Sequence, residues 1–168
     1  MTKKRKPIRL KGYDYSSEGA YYVTICTQDR KCILGEIVNG KMILNEFGNI
    51  VKFTWDALIQ HNANILLDQF VIMPNHVHGI IFINNDANYG LPEIVRQFKT
   101  FSAKPINEIQ NKSGNKYWQR NYYEHIIRDE QELNQKREYI LNNPLNWEKD
   151  ENNTFNEEVL INGGGYKR

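Results

Sequence analysis

The chain has little cysteine, few histidines and no long apolar run, and each scarcity narrows what it can be. Two cysteines, Cys26 and Cys32, in 168 residues cannot build a disulfide framework, so a reduced, cytoplasmic setting is expected. No apolar stretch approaches the roughly 20 residues that span a bilayer, which argues against a membrane partner. The start, Met1-Thr2-Lys3-Lys4-Arg5-Lys6, is basic, but no apolar segment of the secretory kind follows it. No internal repeat is visible, and the length suits one domain large enough to bury a proper core. Hydrophobic and charged contents of 40% and 25% are those of a soluble globular protein.

Net charge is only +2, but it is unevenly spread. Lys3, Lys4, Arg5, Lys6, Arg9 and Lys11 crowd the first twelve residues without an acid, whereas Glu148, Asp150, Glu151, Glu157 and Glu158 dominate the end. This divides the chain into a basic, polar arm over 1–19, a single domain over 20–147, and an acidic then Gly-rich tail over 148–168. Between 88 and 128, cations interleave with Tyr117, Trp118, Tyr122 and Tyr123. Such a stretch suits a phosphate backbone with bases to stack, or equally a solvated surface of mixed charge.

Hydrophobic spacing supplies the elements. Ala20 to Thr27 alternates, with Tyr21, Val23 and Ile25 on one face and Tyr22, Thr24 and Cys26 on the other, so it is a strand with Cys26 as a small core residue. Asn39-Gly40 joins short strands around Cys32–Val38 and Lys41–Leu44. Asn45 caps a helix to about Gln60, carried by Phe47, Ile50, Val51, Trp55, Leu58 and Ile59. A hairpin follows, Ile65–Met73 and His76–Ile83, turned at Pro74-Asn75. Leu91-Pro92 opens a second helix whose stripe is Ile94, Val95, Phe98 and Phe101, and which Pro105 ends or kinks. Tyr122 to Ile127 is extended, and Asp129 caps a third helix to about Asn142, stopped by Pro144. The order suggests an α+β protein whose antiparallel sheet carries the His-x-His strand centrally, with helices packed on one face.

Two histidines of the four in the chain stand in that central strand, one residue apart. Side chains alternate in a strand, so His76 and His78 share a face while Val77 and Gly79 share the other. Two adjacent imidazoles can form half of a metal site. The plainer alternative is one core histidine with a hydrogen-bonded neighbour, but burying both among Ile72, Ile80 and Phe82 costs free energy unless the ring nitrogens find partners. On the third helix, Tyr139 and Asn143 stand four apart and so share a face. Each also has a plain explanation, as a half-buried core tyrosine and a helix stop.

The run Val71-Ile72-Met73-Pro74-Asn75-His76-Val77-His78-Gly79-Ile80 resembles the His-hydrophobe-His motif of single-tyrosine transposases. The closest likeness is to their REP-associated branch. Tyr13-Asp14-Tyr15-Ser16, Tyr22-Val23-Thr24-Ile25-Cys26-Thr27, the segment Trp118 to Arg128, and Tyr139-Ile140-Leu141-Asn142-Asn143-Pro144 extend the resemblance in order over most of residues 9–147. It implies a ferredoxin-like core, Tyr139 as nucleophile, and a metal site of His76, His78 and Asn143 holding Mg²⁺ or Mn²⁺. Relatives outside this branch carry glutamine where Asn143 stands, which is one methylene longer. The implied reaction nicks and joins single-stranded DNA through a 5′-phosphotyrosine, with hairpin or palindromic DNA as partner.

Lys3, Lys4, Arg5, Lys6, Arg96, Lys99, Lys116, Trp118, Arg120, Tyr123, His125 and Arg128 are the candidate DNA contacts. His125 fits a structural or DNA-facing role better than catalysis. Two rival functions stand beside this one. One is a domesticated, non-catalytic nucleic-acid-binding protein, and the other is a zinc hydrolase built on His76, His78 and His125. The sequence leaves monomer and homodimer undecided.

Overall fold

A computed structural model describes residues 18–154, so the arm cations Lys3, Lys4, Arg5 and Lys6 lie outside the described residues. The strands are β1 (Gly19–Cys26), β2 (Gly35–Val38), β3 (Lys41–Leu44), β4 (Ile65–Met73), β5 (His76–Ile83) and β6 (Tyr123–Ile127). The α-helices are α1 (Glu46–Asp56), α2 (Leu58–His61), α3 (Leu91–Ile109) and α4 (Glu130–Asn142), and a 3-10 segment follows over Pro144–Lys149. β4, β5, β1 and β6 form an antiparallel sheet in that order, while β2 and β3 form a separate hairpin. Helices between β1 and β4 and between β5 and β6 complete the β-α-β-β-α-β plan of a ferredoxin-like fold. The His-x-His strand is central, paired to β4 on one side and β1 on the other.

Strand alternation divides this sheet into two unlike faces. Tyr21, Val23 and Ile25 of β1 and Val77, Ile81 and Ile83 of β5 are buried with Val51 and Trp55 of α1 and Leu91, Ile94, Val95 and Phe98 of α3. The opposite face holds Tyr22, Ile80, Ile127 and Ile140, the last from α4. The expectation that the helices share one face is therefore corrected. The third helix packs on the other side, because the strands are apolar in both directions and each face needs a cover.

Local chemistry explains most element ends. Asn45 Oδ1 accepts from the Gly48 N–H, and Asp129 Oδ1 from that of Glu132, so both expected N-caps are formed. The first helix breaks at Ala57 instead of running on, leaving Ile59 exposed. Pro105 neither ends nor breaks α3, which continues to Ile109. The residue whose carbonyl goes without its ladder partner is Phe101, at an exposed position. Phe101 also leaves the inner stripe, which passes instead from Phe98 through fully buried Ser102 to Ile106. Ser102 holds that place because its Oγ accepts from Trp118 Nε1 at 2.9 Å.

Gly79 connects this core to the histidine strand. A Cβ built there would lie 2.4 Å from Cη2 of Trp55, whose ring stacks on Phe70 at 4.2 Å. Trp55 is 2% exposed and has Phe98 edge-on behind it at 5.6 Å, so it has little room to retreat. Gly79→Ala should therefore overpack the face behind the histidines and destabilise the fold by roughly 1–3 kcal/mol. Urea unfolding of the two proteins checks this, and Trp55→Leu should recover part of the loss in the double variant.

Candidate active site

The same alternation that buries Val77 turns His76 and His78 to the α4 face, where both are nearly inaccessible. Their Nε2 atoms lie 3.1 Å apart. His76 Nδ1 lies 2.8 Å from Asn75 Oδ1. The Asn75 amide donates its own protons to the carbonyls of Arg30 and Asn152, so its oxygen can only accept. That fixes the His76 proton on Nδ1 and leaves Nε2 with a free lone pair. His78 Nδ1 lies 2.8 Å from both the Tyr22 hydroxyl and Thr24 Oγ1. The register that puts Thr24 opposite His78 makes these partners.

Burial keeps both rings neutral. It pushes His76 down to about 4, although nearby Asp150 pulls the other way. Burial likewise holds His78 well below the usual histidine range, helped by the neighbouring His76 and by the charge of Lys136. Both therefore present lone pairs at neutral pH, the form in which imidazole binds a metal.

The other components come from α4 and the segment after it. The Tyr139 ring lies edge-on to His78, with centroids 5.4 Å apart, and the residue is 47% exposed. Burial raises its phenol pKa, the negative charge of Asp150 raises it further, and a hydrogen bond with Asn143 opposes them. Asn143 is 2% exposed, and its Oδ1 is buried without a hydrogen-bond partner. Asp150 Oδ2 lies 3.8 Å from His76 Nε2, on a side chain 4% exposed. Its Oδ1 accepts from the Asn152 backbone N–H at 2.8 Å and from Nδ2 at 3.1 Å, which leaves Oδ2 toward the histidine.

These atoms fit a divalent cation. Two ligands in adjacent octahedral positions at about 2.1 Å from an ion stand about 3 Å apart, close to the observed separation of the imidazole nitrogens. Ligand atoms of His76, His78 and Asp150 all lie within 4.8 Å of one another, and the orphaned oxygen of Asn143 adds a neutral donor. Beside them opens a cavity of about 430 Å³, lined by Tyr22, Thr24, Cys26, His78, Tyr123, Lys136 and Tyr139 among others. Cys26 thus borders the cavity and is not a core residue, and burial raises its thiol pKa.

The expected DNA contacts fare unequally. Trp118 is buried against Phe98 and bonded to Ser102, a core position that cannot offer a stacking surface. Lys99 donates to the carbonyls of Gln119 and Arg120 and lies 5.3 Å over the Tyr122 ring. Arg96 is chelated by Glu93 one turn earlier on α3. His125 bonds Glu132 and so ties β6 to α4. It is absent from the metal-ready group among the described residues, which removes the ligand set of the zinc-hydrolase alternative. The Arg128 backbone N–H also donates to Glu132, while its side chain, like those of Lys116 and Arg120, is exposed. Tyr123 is half exposed and borders the cavity.

Asp150 and Lys136 escaped the sequence reading. Asp150 lay hidden in a run of acids assigned to the tail. Trp147 was the available signal, since a large apolar ring in a polar run needs burial, and it lies buried 6.1 Å from the His76 ring.

Residues 16–143 match the family model described as transposase IS200 like. An uncharacterized protein of Haemophilus influenzae is 42% identical over 170 aligned positions, which cover 88% of this chain and 92% of that protein. A second protein of that organism, whose name offers it as a candidate REP-associated tyrosine transposase, is 31% identical over 141 positions, covering 79% of this chain and 73% of its own. Among solved structures, a REP-associated tyrosine transposase bound to a REP hairpin superposes with a TM-score of 0.60 at 16% identity, over 86% of this chain and 73% of that one. At that identity the likeness is one of fold, whereas the family match runs from before the first strand to the end of α4. The chain belongs to the IS200-like transposase family.

Proposed function

We propose that the protein is a metal-dependent transesterase that nicks and joins single-stranded or hairpin DNA through Tyr139. The observation that carries this reading is the convergence of two neutral imidazoles on one point, with the Tyr139 ring against His78. His76 and His78 would hold a divalent ion, Mg²⁺ or Mn²⁺, through Nε2, with the oxygens of Asn143 and Asp150 completing the set. When bound, such an ion polarises a scissile phosphate and offsets the charge that develops on it. Family membership and the hairpin seen in the related structure support the choice of substrate.

Tyr139 is then the attacking group. Its Oη forms a bond to phosphorus while the bond from phosphorus to the 3′-oxygen breaks. The phenol loses its proton and the departing 3′-oxygen gains one, leaving a 5′-phosphotyrosine and a free 3′-hydroxyl. Phosphoester energy is retained, so a second 3′-hydroxyl can reverse the step and join strands without ATP. A position inside α4 suits this role, because a helix holds the hydroxyl in a fixed direction. Tyr122, by contrast, is 8% exposed and packs with the α1–α3 core.

Isothermal titration with Mn²⁺ should give one site per chain in the native protein and none measurable in His76→Ala/His78→Ala. Asn75→Ala should weaken the same binding by about tenfold or more, since it removes the group that orients His76. Equal binding by native protein and double variant would remove the metal centre. Incubation with a 3′-labelled hairpin carrying a single-stranded flank and Mg²⁺, then digestion and mass spectrometry, should place a covalent adduct on Tyr139. Tyr139→Phe should keep DNA binding and form no adduct. Binding without any adduct in the native protein would favour the non-catalytic alternative.

A further inference from the structure

Two of the cations that composition marks for DNA, Arg96 and Lys99, are committed elsewhere in the fold, yet the cavity beside Tyr139 has a cation of its own. Lys136 lies on α4, one turn before Tyr139, and is half-buried. Its Nζ stands 4.6 Å from the centre of the Tyr22 ring, and its side chain lines the same cavity as His78 and Tyr139. No other lysine or arginine among the described residues lines that cavity. Lys136 also forms no ion pair with a described residue. Its neighbour Arg137 is held by Asp68, Arg96 by Glu93, and Lys99 by two carbonyls and the Tyr122 ring.

We infer that Lys136 anchors a phosphodiester oxygen of single-stranded DNA at the mouth of the Tyr139 cavity, a role that rests on the function proposed above. Three observations support it. A ring face shields one side of the ammonium and leaves its remaining N–H donors for a partner. The charge also stands near the reaction centre, since Lys136 lines one cavity with His78 and Tyr139. The site also needs a cation for balance. Asp150 and Glu151 put two negative charges beside the histidines and the cavity, so a phosphodiester arriving there meets repulsion. A divalent ion together with Lys136 neutralises both carboxylates and one phosphate. Lys136 is a point charge with freely turning donors, which suits an oxygen whose position shifts as the strand moves.

Fluorescence anisotropy with the full chain, Mg²⁺ and a labelled hairpin bearing a single-stranded flank tests this. Lys136→Gln should weaken binding about tenfold. It should also lower the slope of log affinity against log salt by about 0.7, the value for one single-strand phosphate. Lys136→Arg should restore both. A set of probes with one neutral methylphosphonate linkage at each flank position should show one linkage that weakens native binding but costs Lys136→Gln nothing more. A lysine that merely covers the Tyr22 ring would leave the two linkage profiles alike, and that result would overturn the assignment. Should Lys136→Gln fail to fold, the native profile alone decides, because the absence of any sensitive linkage also overturns it. A native protein that does not bind the hairpin refutes the proposed function itself, whereas equal binding by native protein and folded variant refutes only the role of Lys136.

Discussion

Two imidazoles can share a buried 3.1 Å contact only if both stay uncharged and each nitrogen has a partner, and the architecture follows from meeting that condition. Burial supplies the first part by making the protonated rings too costly in a poorly solvated site. The second part needs donors and acceptors at fixed places on two segments. The two-residue turn before β5 aims Asn75 at His76, while β1 aligns Tyr22 and Thr24 with His78. Pairing β1 beside β5 is therefore as necessary to the site as the histidines are. A register slip of one residue would turn Val77 to the site and both rings into the apolar core.

The two sheet faces carry different duties because they are covered by different means. Apolar area attaches α1 and α3, through Trp55, Phe98 and their neighbours. On α4, by contrast, Ile140 is the buried residue and Leu133 packs only in part. Directional pairs do the rest: Arg137 with Asp68 on β4, and Glu132 with His125 and the Arg128 N–H. The irregularity between Leu67 and Phe70 in β4 spans Asp68, the residue that receives Arg137. Hydrophobic packing tolerates rotation of a helix about its axis, whereas a forked ion pair does not. These pairs therefore fix which residue of α4 meets His78, and that residue is Tyr139.

Much of this was legible in the sequence where one period or one local rule governed. Alternation in β1 and β5 assigned each side chain to its face, Asn45 and Asp129 marked helix starts, and Pro74-Asn75 marked the turn. What could not be read depended on partners distant in the chain. Trp118 and Lys99 looked like DNA contacts because composition does not reveal that a core serine and two backbone carbonyls would claim them. Phe101 matched the helical stripe, yet the i+4 row through Ser102 took the inner position. Asp150 could not be told from Glu148 and Glu151 by type or spacing. Its distinction arises where the chain leaves α4, as the 3-10 segment with buried Trp147 brings it back to the histidines.

The electrostatics of α4 differ between its middle and its C-terminal end. Asn143 caps the C-terminal end, where unpaired carbonyls carry partial negative charge, and Asp150 adds a full charge close by. That end favours a cation and disfavours a bare phosphate. Lys136 lies nearer the middle of the helix, on the side where the cavity opens. Tyr139 stands between the two, one turn from each. A phosphate held by Lys136 on one side and drawn toward a cation at the histidines on the other would straddle the tyrosine hydroxyl. The spacing of Lys136, Tyr139 and Asn143 along one helix thus does more than share a face: under the proposed function it would set a phosphate anchor and a cation site on either side of the attacking hydroxyl.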